Sequence, residues 1–293
     1  MAKENLTQMT NRVTLQGTLM NNTLEVKVDK NGRKYLSGEV EVLVDNGYIV
    51  PVSVFSFETK ASGEKNRLYE RLLKICDLGC ARTLGIGAAP KVSITNARIE
   101  DNSFYSEREG KVVNNWRISG AFINSAATDA DTKNEFEAQG VISSIKEIVD
   151  KEGEGTDSYI LKLLNVGYGN RVNELNFRFS DKEAIDYINS NYNVGDTVTL
   201  CGKVIYEQTE RVVEKELGFG EPIRQTYTNT IRLLKITAGS APQDAEESGY
   251  VLKDLQGIVA KQNNEITERY NARSQVVANT KTITSAAGSN LLF

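Results

Sequence analysis

The stretch NRVTLQGTLM (residues 11–20) alternates side chains: Val13, Leu15 and Leu19 share one face, and Arg12, Thr14, Gln16 and Thr18 the other. A period of two over this length reads as a strand with one buried and one wetted face. Working outward, Lys30-Asn31-Gly32 marks a turn into RKYLSGEVEVLV (33–44), where Leu36, Val40, Val42 and Val44 are in phase. Asn46-Gly47 marks the next turn, and YIVPVSVFSF (48–57) is a third strand. GEKNRLYERLLKICDLG (63–79) reads as a helix ending at a glycine. KVSITNARIE (91–100) and VVNNWRISGAFI (112–123) are two further strands, joined by the polar loop DNSFYSEREGK (101–111).

The same order recurs. FEAQGVISSIKEIV (136–149), DSYILKLLNV (157–166) and RVNELNFRF (171–179) read as strands, DKEAIDYINSNY (181–192) as a helix, and DTVTLCGKVIYE (196–207) and TYTNTIRLLKITA (226–238) as strands. Each third strand ends in Phe-x-Phe before its helix, FSFET at 55–59 and FRFSD at 177–181. A repeat of roughly 125 residues is too long for a solenoid and means tandem domains. Five strands with a helix between the third and fourth is the order of the OB-fold, a small Greek-key barrel. The expected fold class is therefore all-β with short helices: two tandem OB-folds, 1–127 and 128–240, then a linker, an amphipathic helix and a flexible tail over 241–293.

NRVTLQGTL followed by DKNGRKYLSGEVEV resembles the opening of the bacterial and phage single-stranded-DNA-binding proteins. An Asn-Arg-Val start, a Gly-x-Leu at the end of the first strand and an Asn-Gly turn recur in that family. The match is good over 11–57, weaker to about 125, and reaches the second unit only through the internal repeat. The familiar bacterial protein has one barrel per chain, whereas this chain carries two such units. The resemblance implies sequence-nonspecific binding of single-stranded DNA.

A barrel that holds single strands needs cationic groups for phosphates and flat side chains on which bases stack. The first unit offers Arg12, Arg33, Lys34, Tyr35, Tyr48, Phe55, Arg98, Phe104, Tyr105, Arg108, Lys111 and Arg117. Tyr35 and Arg117 are out of phase with their apolar neighbours and should point outward, which places Trp116 and Phe122 in the core. Phe55 and Phe57 have two readings. Val50, Val52 and Val54 put them on the outer face, whereas analogy with Phe177 and Phe179, in phase with Leu175, puts them in the core. A bulge near Pro51 would reconcile the two. Phe104 and Tyr105 lie in a loop flanked by Arg98, Arg108 and Lys111, either a strand clamp or a hairpin tip that buries its own rings. The second hairpin (207–227), with Phe219, Arg224 and Tyr227, is longer and more acidic.

Charge agrees with this division. The chain's net charge is −4, yet residues 1–127 hold 17 Lys+Arg against 14 Asp+Glu and residues 128–293 hold 18 against 25. The first barrel is the expected DNA contact. With no histidine in 293 residues, a His base, a Ser–His or Cys–His pair and a His-ligated metal are excluded. Neither the carboxylates nor Cys76, Cys80 and Cys201 have metal-site spacing, and the sparse thiols suit a reducing compartment. A non-enzymatic protein without cofactor or metal is expected. The N-terminus has no apolar leader pattern and no run approaches a membrane span, which suits a cytoplasmic protein, of the bacterial host if phage-encoded.

In the tail, Val251, Leu255, Ile258, Val259 and Ile266 fall at helical spacing within 250–271. The last 22 residues are small and polar and end in Leu291-Leu292-Phe293. That apolar tip resembles the partner-recruiting end of the same family, which implies replication or recombination proteins as partners. The acidic residues that precede the tip in that family are absent here. The expected function is protection or organisation of single-stranded DNA in replication, recombination or repair, with homo-oligomers left open. The competing reading is a structural or assembly protein, such as a virion component, built from two barrels without nucleic-acid affinity.

Overall fold

A computed structural model describes residues 6–150, 152–215 and 223–288. The first unit comprises β1 (Asn11–Asn22), β2 (Glu25–Val28), β3 (Lys34–Leu43), β4 (Ile49–Phe57), α1 (Arg67–Cys76), α2 (Ala81–Leu84), β5 (Lys91–Asp101), β6 (Phe104–Ser106), β7 (Lys111–Val113), β8 (Trp116–Ser119) and β9 (Ile123–Ser125). The second comprises β10 (Lys133–Val149), β11 (Gly155–Val166), β12 (Val172–Phe179), α3 (Lys182–Asn191), β13 (Thr197–Lys215) and β14 (Ile223–Gly239), followed by α4 (Ala245–Ser248) and α5 (Leu252–Gly288).

Pairing closes each unit on itself. β1 pairs with β3, β3 with β4, β4 in parallel with β8, β8 with β5, and β5 with β1. The second circuit is β10–β11–β12–β14–β13–β10, with the β12–β14 pair again parallel. These are two OB barrels, as the strand order leads one to expect. The Gly-x-Leu motif has a local reason at the point where β1 passes from β5 to β3. A Cβ on Gly17 would stand 1.9 Å from the Leu43 carbonyl oxygen, so only glycine lets the strands cross there.

The barrels share a seam. Strand β1 meets β10 antiparallel from Asn11↔Ala138 to Gln16↔Lys133, so the first strand of each barrel pairs with its counterpart. One apolar core therefore runs from Val13 and Leu15 through Phe136 to Leu161 and Phe177. Each such fully buried side chain contributes about 1.5–3 kcal/mol. Buried Asn165 locks the seam: its Oδ1 accepts from Asn11 Nδ2 (3.2 Å) and Asn173 Nδ2 (3.1 Å), and its Nδ2 donates to the carbonyls of Thr10 (3.1 Å) and Gln139 (2.8 Å). A Lys203–Asp45 ion pair and a 2.7 Å bond from Arg232 to Asn115 tie the barrels elsewhere.

Three local expectations are corrected. Residues 112–123 are not one strand: the ladder breaks after Ser119 and resumes at Ile123, so Phe122 falls out of phase and is 47% exposed rather than in the core beside buried Trp116. The hairpin expected at 101–111 is present as the β6–β7 pair. No bulge occurs at Pro51, because β4 pairs with β3 in unbroken register from Leu43↔Ile49 to Tyr35↔Phe57. The C-terminal helix is long rather than short, running through the stretch read as a tail to Gly288, where no proline stops it. Its first turns pack Leu255 against Val141, Leu164, Val166 and Val172 of the second barrel and Met9 ahead of β1, while Val251 is exposed. Leu291, Leu292 and Phe293, like Phe219 of the second hairpin, lie outside the described residues.

Candidate nucleic-acid interface

The outer face of β3 and β4 carries an aromatic cluster. Tyr35 is opposite Phe57 and Ser37 opposite Phe55. Ring centroids are 5.4 Å apart for Tyr35–Phe55, 6.0 Å for Tyr35–Phe57 and 4.9 Å for Phe55–Phe57, the last edge-to-face. Such pairs are worth about 0.5–1.5 kcal/mol beyond burial, so the cluster holds its shape without sinking into the core. Phe55 remains 52% exposed.

The outward phase follows from the residue between the phenylalanines. Ser56 continues the inward series of Val50, Val52 and Val54 and is buried. Its hydroxyl accepts from Asn66 Nδ2 at 3.1 Å, and the same amide donates to the Phe57 carbonyl at 2.9 Å. Asn66 is also the N-cap of α1, its Oδ1 accepting from Leu68 N at 3.1 Å. One side chain thus starts the helix and fixes the end of β4. The core reading of Phe55 and Phe57 does not hold, since a buried hydrogen-bonded serine leaves its neighbours the other face.

A cation flanks the cluster. The Arg33 guanidinium lies 4.8 Å from the Phe57 ring centre and 2.8 Å from the Asp29 carboxylate. Asp29 also accepts from the amides of Asn31 (2.8 Å) and Arg33 (2.9 Å), closing the turn in which Gly32 takes φ +77°. The Arg33 amide, chiefly, and its side chain hold the Asp29 carboxyl below the usual carboxylate range. Lys34 is exposed beside them.

The remaining candidates fall into three other places. Arg12, Arg98 and Arg117 line the seam side of the first barrel, where Arg117 meets Glu100 at 3.5 Å. Phe104, Tyr105, Arg108 and Lys111 belong to the β6–β7 hairpin, beside the start of β8. Because β8 runs parallel to β4 with Val52 opposite Ile118, the hairpin stands toward the end of β4 opposite Phe57. There Tyr105 stacks on Tyr270 of α5, centroids 4.4 Å apart at 22°, and Tyr270 Oη donates to Glu107 Oε1 at 2.6 Å. Phe104 is 49% exposed, and Lys111 pairs with Glu109 at 3.3 Å. Tyr48 is half-buried against the core, beside Arg82 and Tyr206. The arrangement unites Arg33, Lys34, Tyr35 and Phe55, adds Phe57, and leaves Tyr48 and the hairpin apart.

On the second barrel the same strand turns its rings inward. Phe177 and Phe179 are buried, and Glu174, Asn176 and Arg178 face outward. Glu174 pairs with Lys162 at 2.7 Å. That face offers charge without an exposed aromatic cluster among the described residues.

Two closed barrels joined through their first strands define the chain as a tandem OB-fold protein. Residues 10–272 match the YorF family model, and the chain belongs to that family. No curated protein matches the chain. Solved structures similar to it include the wild-type single-stranded DNA binding protein from Thermus aquaticus, at 13% identity, a TM-score of 0.49 and coverage of 81% of this chain and 95% of that one. A deletion mutant of the Thermus aquaticus protein gives 13% identity, 0.48, 81% and 96%. A replication protein A heterotrimer bound to ssDNA gives 15% identity, a TM-score of 0.23, and coverage of 87% and 53%. These likenesses are distant, and the fold rests on the strand pairing itself. No described helix is long and apolar enough to cross a membrane.

Proposed function

We propose that the chain binds single-stranded DNA without sequence preference, through the outer face of its first barrel, and does no bond chemistry. The observation that carries this reading is the outward-facing Tyr35–Phe55–Phe57 cluster, with Phe55 exposed, the other two rings half-buried and Arg33 held against it. Every base has a π-face, so stacked bases gain about 1–3 kcal/mol each whatever their identity, while exposed Lys34 beside the cluster neutralises a neighbouring phosphate. The resemblance of residues 11–57 to single-stranded-DNA-binding proteins supports the same ligand. Its setting would be replication, recombination or repair in a bacterial cytoplasm, phage-borne or not. Replication or recombination proteins would be recruited through Leu291-Leu292-Phe293.

Fluorescence titration with poly-dT at a series of salt concentrations tests it. The log of the affinity should fall linearly with the log of the salt concentration, by about 0.7 per phosphate neutralised on a single strand. Absence of binding at low salt would remove the proposal and leave the assembly-protein reading standing.

A further inference from the structure

The seam between the barrels carries cations that the aromatic cluster does not use. A groove there is lined from the first barrel by Arg98 and Arg117 and from the second by Tyr168 and Arg171, over a floor of Asn11 and Asn165. Two carboxylates also line it, Glu100 in an ion pair and Asp101 hydrogen-bonded to a serine with its charge kept. Glu100 pairs with Arg117 at 3.5 Å, and Asp101 accepts from the Ser103 hydroxyl and, at 3.1 Å, from the Ser103 amide. Arg98 and Arg171 have no ion pair among the described residues. Three guanidiniums against two carboxylates leave the groove a net positive charge, which phosphates lying along it offset.

The groove is also built to present a ring. Tyr168 is 83% exposed, with no ring partner among the described residues. It opens a short turn in which Gly169 (φ +65°) and Asn170 (φ +59°) both take left-handed conformations. For a non-glycine residue that conformation is uncommon. Here it is held by Leu6 N donating to Asn170 Oδ1 at 3.0 Å and Gly167 N donating to the Arg171 carbonyl at 2.7 Å. Beneath it, the four hydrogen bonds of Asn165 fix both strands.

Register connects this groove to the aromatic cluster. Ser53 lies opposite Ser119, and Ser119 opposite Arg98, so one outward row crosses β4, β8 and β5. Phe55 is two residues along β4 from Ser53. With strands about 4.8 Å apart and about 3.4 Å per residue, Phe55 and Arg98 are about 12 Å apart along the surface.

We propose that the seam is the exit path of the same DNA strand. Phosphates leaving the aromatic cluster lie along Arg98 and Arg171, and a base further along stacks on Tyr168, so that one strand spans both barrels. The inference rests on the function proposed above and adds residues of the second barrel to it.

The test uses the full chain with labelled oligothymidylates, one of about 6 nucleotides, near the low end of OB-fold site sizes, and one of about 30. Arg98→Gln with Arg171→Gln should leave binding of the short oligonucleotide unchanged and reduce the salt slope of the long one by about 1.4, two phosphate contacts at about 0.7 each. Tyr168→Ala should weaken the long oligonucleotide alone by about fivefold or more, one stacked base. These side chains are exposed, so unchanged thermal unfolding is expected of each variant. If both variants bind the long oligonucleotide like the parent while Phe55→Ala weakens both lengths, the seam is wrong and the aromatic cluster stands. Equal weakening of both lengths by the seam variants also overturns a separate exit path. A parent that binds neither length at low salt removes both proposals together.

Discussion

The third strand of each barrel ends in the same spelling, Phe-x-Phe, and the two barrels bury it in opposite senses. Phe177 and Phe179 are each 1% exposed, whereas Phe55 is 52% exposed. The parallel partner strand reveals the reason. β8 places Ile118 opposite Val52, and β14 places Leu234 opposite Phe177. Phe177 therefore occupies the place of Val52, and Phe179 that of Val54. The phenylalanines of the first barrel sit an odd number of residues away, and an odd step reverses every side chain of a strand. The middle residue records the difference. A serine can be buried against Asn66, whereas Arg178 stays in water and leaves the core to its neighbours. Identical apolar pairs thus build a core in one barrel and an outward aromatic face in the other.

The sharpest way to break this comparison is to truncate one ring from each barrel. Phe177→Ala should destabilise the protein by about 3–5 kcal/mol, the usual cost of removing a buried aromatic ring. Phe55→Ala should cost clearly less, about 0.5–1.5 kcal/mol for its ring contacts with Tyr35 and Phe57. It should also weaken single-stranded DNA binding by about 1–3 kcal/mol. Urea denaturation and oligothymidylate titration on both variants read the two effects. Equal destabilisation by both would mean that Phe55 is a core residue after all.

A smaller effect separates the two helix caps. Asn66 and Asp181 each cap the helix that follows the third strand, and replacing either by alanine should cost about 0.5–2 kcal/mol of stability. Asp181 accepts from the amides of Glu183 and Ala184 within its own helix. Asn66 additionally grips Ser56 and the Phe57 carbonyl. Only Asn66→Ala should therefore loosen the aromatic cluster and lower DNA affinity as well. Parallel binding losses in both variants would show that the cap does not position the rings.

Much of this was legible in the sequence, and the exceptions share a cause. Strand order, the helix after the third strand and the tandem repeat follow from period-two alternation and turn residues, because one buried face imposes both. The outward phase of Tyr35 and Arg117 followed in the same way. The phase of Val50, Val52 and Val54 pointed correctly for Phe55, and the analogy with Phe177 pointed wrongly, since matched letters do not fix register. Alternation misplaces Phe122 because the ladder breaks at Gly120, where a period of two stops carrying information. There a Cβ would stand 2.7 Å from that of Ala97, so close strand approach replaces the pleat. Tyr168 and Arg171 belong to no motif. Their place in the seam depends on β1 pairing with β10, a contact between residues more than a hundred positions apart.

The smallest effect concerns the hairpin of the first barrel, where an aromatic ring faces protein. Tyr105 stacks on Tyr270, which α5 brings from its seat on the second barrel. An aromatic stack of this kind is worth about 0.5–1.5 kcal/mol, and one face of Tyr105 is already satisfied. Tyr105→Ala and Tyr270→Ala should each lower stability by about that amount. The double variant should lose little more than either single one, because both remove the same contact. DNA affinity of Tyr105→Ala should fall less than that of Phe55→Ala, since a base must compete with Tyr270 for the ring. A double-mutant cycle by urea denaturation measures the first expectation, and titration with oligothymidylate the second. If Tyr105→Ala weakens binding as much as Phe55→Ala does, the DNA face extends past β3 and β4 to the hairpin, and α5 then lies against the strand's own path.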